Sequence, residues 1–283
     1  DWKRLVLKIQ IGKGILLTSL ISFPWFIVQL INEGEVFWNS FFGYHNFQRY
    51  TSVVNNHFEP WWFFLFIMIL ASLPFSVFLI HGLIETFKEL INKFKTGVDS
   101  TGSIYLFSLC WLLSVFLFFS ISATKLTSYW IPAIPAASIL ITKSVQKLAN
   151  QRKNISIAWF FTALILFGFS ISFYFSDNWL SLIKDPEMPY LANQIKDYGL
   201  ILRSRIFIYV ITAISILFIF KFYKRSILYL QIFFFSGQIF LMSPIRKLAD
   251  IVRQVPLRDV SKRIIDIRSE QEPLAMIGIR KPS

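Results

Sequence analysis

The chain has 283 residues, 55% hydrophobic and 18% aromatic, with 32 Phe against 11 Gly and 11 Pro. Charged residues make up 16%, where soluble domains carry roughly 25%. Every Lys, Arg, Asp and Glu lies outside seven charge-free stretches, 14–32, 60–84, 100–124, 126–142, 154–176, 206–220 and 226–245. A bilayer crossing needs about 17–25 apolar residues, and a soluble core has no reason to repeat that length seven times. The pattern excludes a soluble globular enzyme, a disordered chain and a disulfide scaffold. It predicts an all-α polytopic membrane protein with spans near 14–32, 60–84, 104–122, 126–142, 154–176, 206–220 and 226–245.

Lys3, Arg4, Lys8 and Lys13 open the chain as a cytoplasmic loop. In the first span, Pro24 between Phe23 and Trp25 is placed to kink the helix. The 27-residue loop 33–59 is aromatic: Phe37, Trp38, Phe41 and Phe42 share one face of a short helix near 35–48 that lies in the membrane interface. Pro60, Trp61 and Trp62 start the second span with an aromatic anchor at headgroup level. Residues 83–103, with Glu85, Lys88, Glu89, Lys93 and Lys95, read as a mixed-charge loop. The fourth span is short and carries Pro132 and Pro135, and the loop after the fifth, 177–205, contains Asp185-Pro186-Glu187-Met188-Pro189. The tail changes character at Pro244. Ile245, Leu248, Ala249 and Val252 suggest an amphipathic helix and Pro273–Ile279 a buried strand, so 246–283 reads as the opening of a small external α/β domain in a longer protein.

On a soluble protein a net charge of +13 would point to nucleic acid; here the side of the membrane matters, and no nucleic-acid partner is expected. With the N-terminus inside, the inner segments hold fourteen Lys and Arg and the outer loops six, which favours that orientation and puts the tail outside. Cys110, the only cysteine, sits within a span, so neither a disulfide nor a thiolate cluster is possible and it reads as a packing residue. No HExxH, CxxC, GxSxG or glycine-rich phosphate loop occurs, no cofactor is evident, and no span carries a carboxylate.

Polar chemistry concentrates at the outer face in two clusters. The first runs Phe41-Phe42-Gly43-Tyr44-His45-Asn46-Phe47-Gln48-Arg49-Tyr50, then His57 and Pro60-Trp61-Trp62. In an α-helix His45 and Arg49 stack at i, i+4 with Asn46 beside them. Arg49 is the only basic residue of its loop, and a guanidinium suits a phosphate oxygen because its planar fork binds bidentately and stays charged. Snorkelling toward lipid headgroups fits equally well. His45 and His57, twelve residues apart, read as satisfied or solvated imidazoles rather than metal ligands. The second cluster is Ser120-Ile121-Ser122-Ala123-Thr124-Lys125-Leu126-Thr127-Ser128-Tyr129-Trp130-Ile131-Pro132-Ala133-Ile134-Pro135. Its lone ammonium among hydroxyls fits an anion site or a snorkelling Lys at a capped helix end.

Together the clusters resemble polyprenyl-phosphate-sugar-dependent glycosyltransferases of the GT-C membrane class, above all the bacterial aminoarabinose (lipid A) transferases and the related protein O-mannosyltransferase-like family. The carrying residues are Phe42, His45-Asn46, Arg49-Tyr50, His57 and Pro60-Trp61-Trp62, then Phe118-Phe119-Ser120, Ser122, Lys125-Leu126, Tyr129 and Pro132. Thr127 stands where the family has Pro after Lys-Leu, and Tyr50 where it has Phe. The resemblance implies transfer of a sugar from a lipid-phosphate carrier, with inversion, to a glycan, lipid A or protein acceptor at the outer face of the bacterial inner membrane. Arg49, Lys125 and Tyr129 would hold the carrier phosphate, with His45, Asn46, His57 and Ser122 supporting them and Trp25, Trp61 and Trp62 bordering the lipid groove. The family's catalytic base, an Asp of its first external loop, has no counterpart here, and Glu33, Glu35 and Glu59 do not match it; the base is expected upstream of Asp1. A lipid-linked-sugar flippase, which would need polar groups at mid-depth and discontinuous helices, and a non-catalytic membrane scaffold are the competing readings.

Overall fold

A computed structural model describes residues 10–54, 58–96, 103–149, 151–182, 190–221 and 225–268. All its regular elements are helical. Among the described residues, five helices are long and apolar enough to cross a membrane, or six if one bent pair counts as a span. The chain divides into two compact units, Asp1–Thr142 and Lys143–Ser283.

In the first unit, α1 (Ile11–Glu33) has no buried residue. Side chains such as Ile21 and Ile31, 72% and 77% exposed, are what a lipid-facing helix presents. Gly34, at φ +55°, ends it. The chain then runs through α2 (Glu35–Phe37), a π-helix (Trp38–Gln48) and α3 (Arg49–Thr51). This hook is held to α1 by rings: Trp25 and Phe26 meet Phe37 and Phe41 edge-on or tilted, with centroids 5.6–6.5 Å apart.

The stretch expected as a single span near 60–84 is broken. α4 (Phe63–Ala71) and α5 (Ser76–Thr96) meet at 115°. Pro74 lies in the break, where it supplies no amide hydrogen and its ring opposes continued helix. The Ser76 hydroxyl donates to the Ile69 carbonyl across it at 2.5 Å. α5 then continues through residues expected to form a loop, with Lys88 and Glu85 paired one turn apart at 3.3 Å. After α6 (Ser103–Ile121), a 3₁₀ helix (Thr127–Ala133) carrying Pro132 leads into α7 (Ile134–Ala149). The core of the unit joins Phe64 and Met68 of α4, Leu79 of α5, Leu112 of α6, Trp130, and Ala136, Ala137 and Leu140 of α7. Small residues let these helices approach closely, the packing that membranes favour.

In the second unit, α8 (Arg152–Tyr174) and α11 (Leu200–Phe220) lie antiparallel. The register is set by Ser156 donating to Ile219 O, Ser170 against Thr212 at 3.0 Å, and Arg205 donating to Phe173 O. Trp159, wholly buried, packs on Phe218 and donates to Ser226 Oγ at the start of α12 (Ser226–Ala249). Between α8 and α11 the expected loop contains α9 (Ser176–Leu180) and α10 (Leu191–Asp197), and α11 begins at Leu200. Arg203 and Arg205 therefore belong to a helix. Arg205 also reaches Ser176 and Asp177, while Arg203 donates to Phe240 O and lies over its ring. The Lys196 ammonium, by hydrogen bond and charge, and then Arg205 hold the Asp177 carboxyl below the usual carboxylate range. α12 runs on to Ala249, and a π-helical turn (Asp250–Gln254) and α13 (Val255–Ile267) follow. The expected strand Pro273–Ile279 and the Asp185–Pro189 segment lie outside the described residues.

Candidate anion site at a loop junction

Two loops some seventy residues apart in sequence are laced together in the first unit. Thr124 N donates to Arg49 O at 3.0 Å and Ala123 N to Tyr50 O at 2.9 Å. The buried Thr124 hydroxyl donates to Ser52 O at 2.8 Å and accepts from Val54 N at 2.9 Å. Ser122 Oγ lies within hydrogen-bonding distance of both Arg49 O and Thr124 O. Residues 49–54 are thereby clamped onto 122–124 by backbone and hydroxyl groups. The Arg49 side chain takes no part in the clamp, and Lys125 joins it only through Ser122 O.

Lys125 is 8% exposed, and Nζ donates to Ser122 O at 2.8 Å. Its three donors meet no carboxylate among the described residues. Arg49 is half-buried, and its Nε is fully covered without a hydrogen-bond partner among the described residues, as is Ser120 Oγ. A covered donor without a partner is costly, and the Arg49 Nε and the buried Lys125 ammonium, carried by residues joined at one junction, make a place where an anion would offset that cost. An apolar cavity of about 320 Å³ adjoins the 3₁₀ helix, lined by Ile67, Leu70, Ala71, Thr127, Trp130, Ile131 and Ile134.

The structure thus brings Arg49, Ser122 and Lys125 together. Tyr129 lies one turn beyond, half-buried, its ring stacked on Phe119 at 4.7 Å. His45 and Asn46 are spent locally: the His45 ring sits edge-on to Tyr44, and Asn46 Nδ2 donates back to Phe41 O at 2.6 Å. Both are exposed. The expected α-helical stacking of His45 beneath Arg49 does not arise, because 38–48 winds as a π-helix with a wider turn than four residues. His57 lies outside the described residues. Trp25 belongs to the ring cluster against the hook, and Trp61 and Trp62 are 75% and 49% exposed at the start of α4. Thr124, in the sequence one hydroxyl among several in the second cluster, is the residue whose side chain ties the two loops together.

Thr124→Val keeps the volume and removes the hydroxyl. It should orphan the buried Val54 amide, at about 1–3 kcal/mol, and free the carbonyl of the exposed Ser52 to water, whereas Thr124→Ser should recover most of the loss. Thermal unfolding of the three proteins in one detergent measures this.

No family model matches the chain. Curated relatives do. The chain is 29% identical over 145 residues to the undecaprenyl phosphate-alpha-4-amino-4-deoxy-L-arabinose arabinosyl transferase 1 of Pseudomonas fluorescens, covering 51% of this chain and 24% of that one. It is 29% identical over 151 residues to the Erwinia tasmaniensis transferase of the same kind (53% and 26%), and 27% over 172 residues to that of Yersinia pestis (61% and 29%). The chain thus spans about a quarter of the length of these relatives. Among solved structures it matches ArnT from Cupriavidus metallidurans bound to undecaprenyl phosphate, with a TM-score of 0.66 and 21% identity over 96% of this chain and 45% of that one. The chain is therefore similar in sequence to the undecaprenyl phosphate aminoarabinose transferases and shares the fold of ArnT.

Proposed function

We propose that this chain is the carrier-gripping part of a bacterial inner-membrane glycosyltransferase. It moves a sugar from a polyprenyl phosphate to an envelope acceptor, lipid A or protein, with inversion. The observation that carries this reading is the pair of cations, Arg49 and Lys125, joined at one junction without a carboxylate partner among the described residues.

As the glycosidic bond breaks, negative charge grows on the departing polyprenyl phosphate. Preorganised donors aimed at that charge lower the barrier, and they do so best where water is scarce. Arg49 supplies the fork, Lys125 the buried point charge, and Tyr129 a hydroxyl donor. Ser122 holds Lys125 through its carbonyl and Arg49 through its hydroxyl. His45, Asn46 and His57 shape the outer rim. Trp25, Trp61 and Trp62 border the path of the apolar tail, which the cavity beside the 3₁₀ helix extends. In this reading the bent pair α4–α5 and the 3₁₀–α7 segment each count as one span, giving seven, with the N-terminus inside and 246–283 opening an external α/β domain.

The test uses the intact protein in vesicles with polyprenyl-phosphate sugar labelled in the sugar. Transfer of label to acceptor with release of free polyprenyl phosphate is the expected result. Movement of intact labelled lipid between leaflets without bond cleavage would overturn it in favour of a transporter, the reading that the broken helix α4–α5 would then serve. Lys125→Met should weaken binding of polyprenyl phosphate at least about tenfold, or ~1.4 kcal/mol, as read by lipid titration in nanodiscs.

A further inference from the structure

We infer that α13 is a surface anchor that lies in the headgroup layer of an anionic membrane. The helix holds Leu257, Val260, Ile264 and Ile267 at i, i+3, i+7 and i+10, one narrow stripe. Arg258, Asp259, Lys262 and Asp266 occupy the opposite face, Arg263 borders the stripe, and Ile265 lies beside Arg258 at the other margin. None of its residues is buried: Leu257 is 58%, Val260 56% and Ile267 84% exposed. An apolar stripe this open needs a cover, and three features point to lipid.

The first is continuity with the bilayer. α12 is a candidate span that ends at Ala249, and only the five-residue π-helical turn separates it from α13. At ~1.5 Å per residue, α13 starts within about 8 Å of the end of the span, at the level of the headgroup layer, which takes about 5–7 Å on each side of a ~30 Å hydrocarbon core in a bilayer of about 40–45 Å. The second is charge. Residues 246–268 hold seven Lys and Arg against three Asp, and clustered basic residues beside a span attract anionic headgroups. The third is the joint itself. A π-helical turn followed by Pro256 is where helices bend sharply, and Arg258 is paired with Asp250 across it at 2.6 Å. A helix with a basic polar face, a narrow apolar face and low net hydrophobicity is the kind that lies in the interface plane.

The test places nitroxide labels at Val260→Cys and Lys262→Cys in the full chain carrying Cys110→Ser. The chains are reconstituted in vesicles of phosphatidylcholine with phosphatidylglycerol and in vesicles of phosphatidylcholine alone. Power saturation should show the Val260 label open to oxygen and screened from a nickel chelate, with the opposite order at Lys262. The oxygen-to-nickel ratio at Val260 should exceed that at Lys262 several-fold in the anionic vesicles. Adding Arg258→Gln, Lys262→Gln and Arg263→Gln to the Val260-labelled chain should shrink that ratio in anionic vesicles and barely change it in neutral ones. A Val260 label readily reached by the nickel chelate would place the stripe in water. A label shielded from both reagents would place it under protein, such as the chain beyond residue 268. Either result overturns the assignment.

Discussion

Arg49→Ala in the intact protein should lower sugar transfer from the polyprenyl-phosphate donor by about 10²–10³-fold, the loss typical of removing one preorganised donor from a developing oxyanion. The fold should survive, because Arg49 contributes to the loop junction through its carbonyl, which accepts from Thr124 N and Ser122 Oγ. Truncating the side chain leaves those bonds in place and removes a guanidinium whose Nε is already covered and unpaired. Arg49→Lys keeps the charge but loses the planar fork, so it should recover only part of the activity. Initial rates of carrier release, measured beside thermal unfolding, separate the two effects. Unchanged turnover in Arg49→Ala would remove Arg49 from the site.

The membrane character was legible because a charge cannot enter hydrocarbon cheaply, so the spacing of Lys, Arg, Asp and Glu marks bilayer crossings without knowledge of the fold. The same rule says where a membrane ends and not where a helix ends. α5 therefore runs past Glu85, Lys88 and Glu89 as helix, and α11 starts early enough to include Arg203 and Arg205. Composition also hides backbone breaks. Pro74 was visible within an uninterrupted apolar run, yet only the structure shows α4 and α5 meeting at 115°. The candidate site was readable as two polar clusters in chain order. Their lacing was not, since the bonds from 122–124 to 49–54 link backbone groups across some seventy residues, and no local pattern encodes that pairing. The π-helical winding of 38–48 was hidden for a related reason: Phe37, Phe41 and Phe42 pack on Trp25 and Phe26 of α1, a tertiary contact that the α-helical period behind the His45–Arg49 stacking does not contain.

Gly82→Ala should destabilise the first unit by about 1–3 kcal/mol, toward the upper end of what overpacking costs. A β-carbon at Gly82 would collide with the Leu140 carbonyl oxygen of α7 and stand 2.9 Å from its carbonyl carbon. The obstacle is helix backbone, so no rotamer change relieves it, and Leu140 is itself wholly buried among Ala136, Ala137 and Leu79. α5 and α7 would have to separate, loosening the contacts on which the 3₁₀ helix and Trp130 rest. Opposing this is the gain of up to about 1 kcal/mol that Ala brings over Gly in a helix, too small to reverse the sign. Gly168→Ala on α8 supplies the control, because a β-carbon there meets nothing within 4 Å, and it should be neutral or slightly stabilising. Denaturation of the two variants beside the parent in one detergent measures the difference. A Gly82→Ala protein as stable as the parent would show that α5 and α7 do not approach as closely as Leu140 requires.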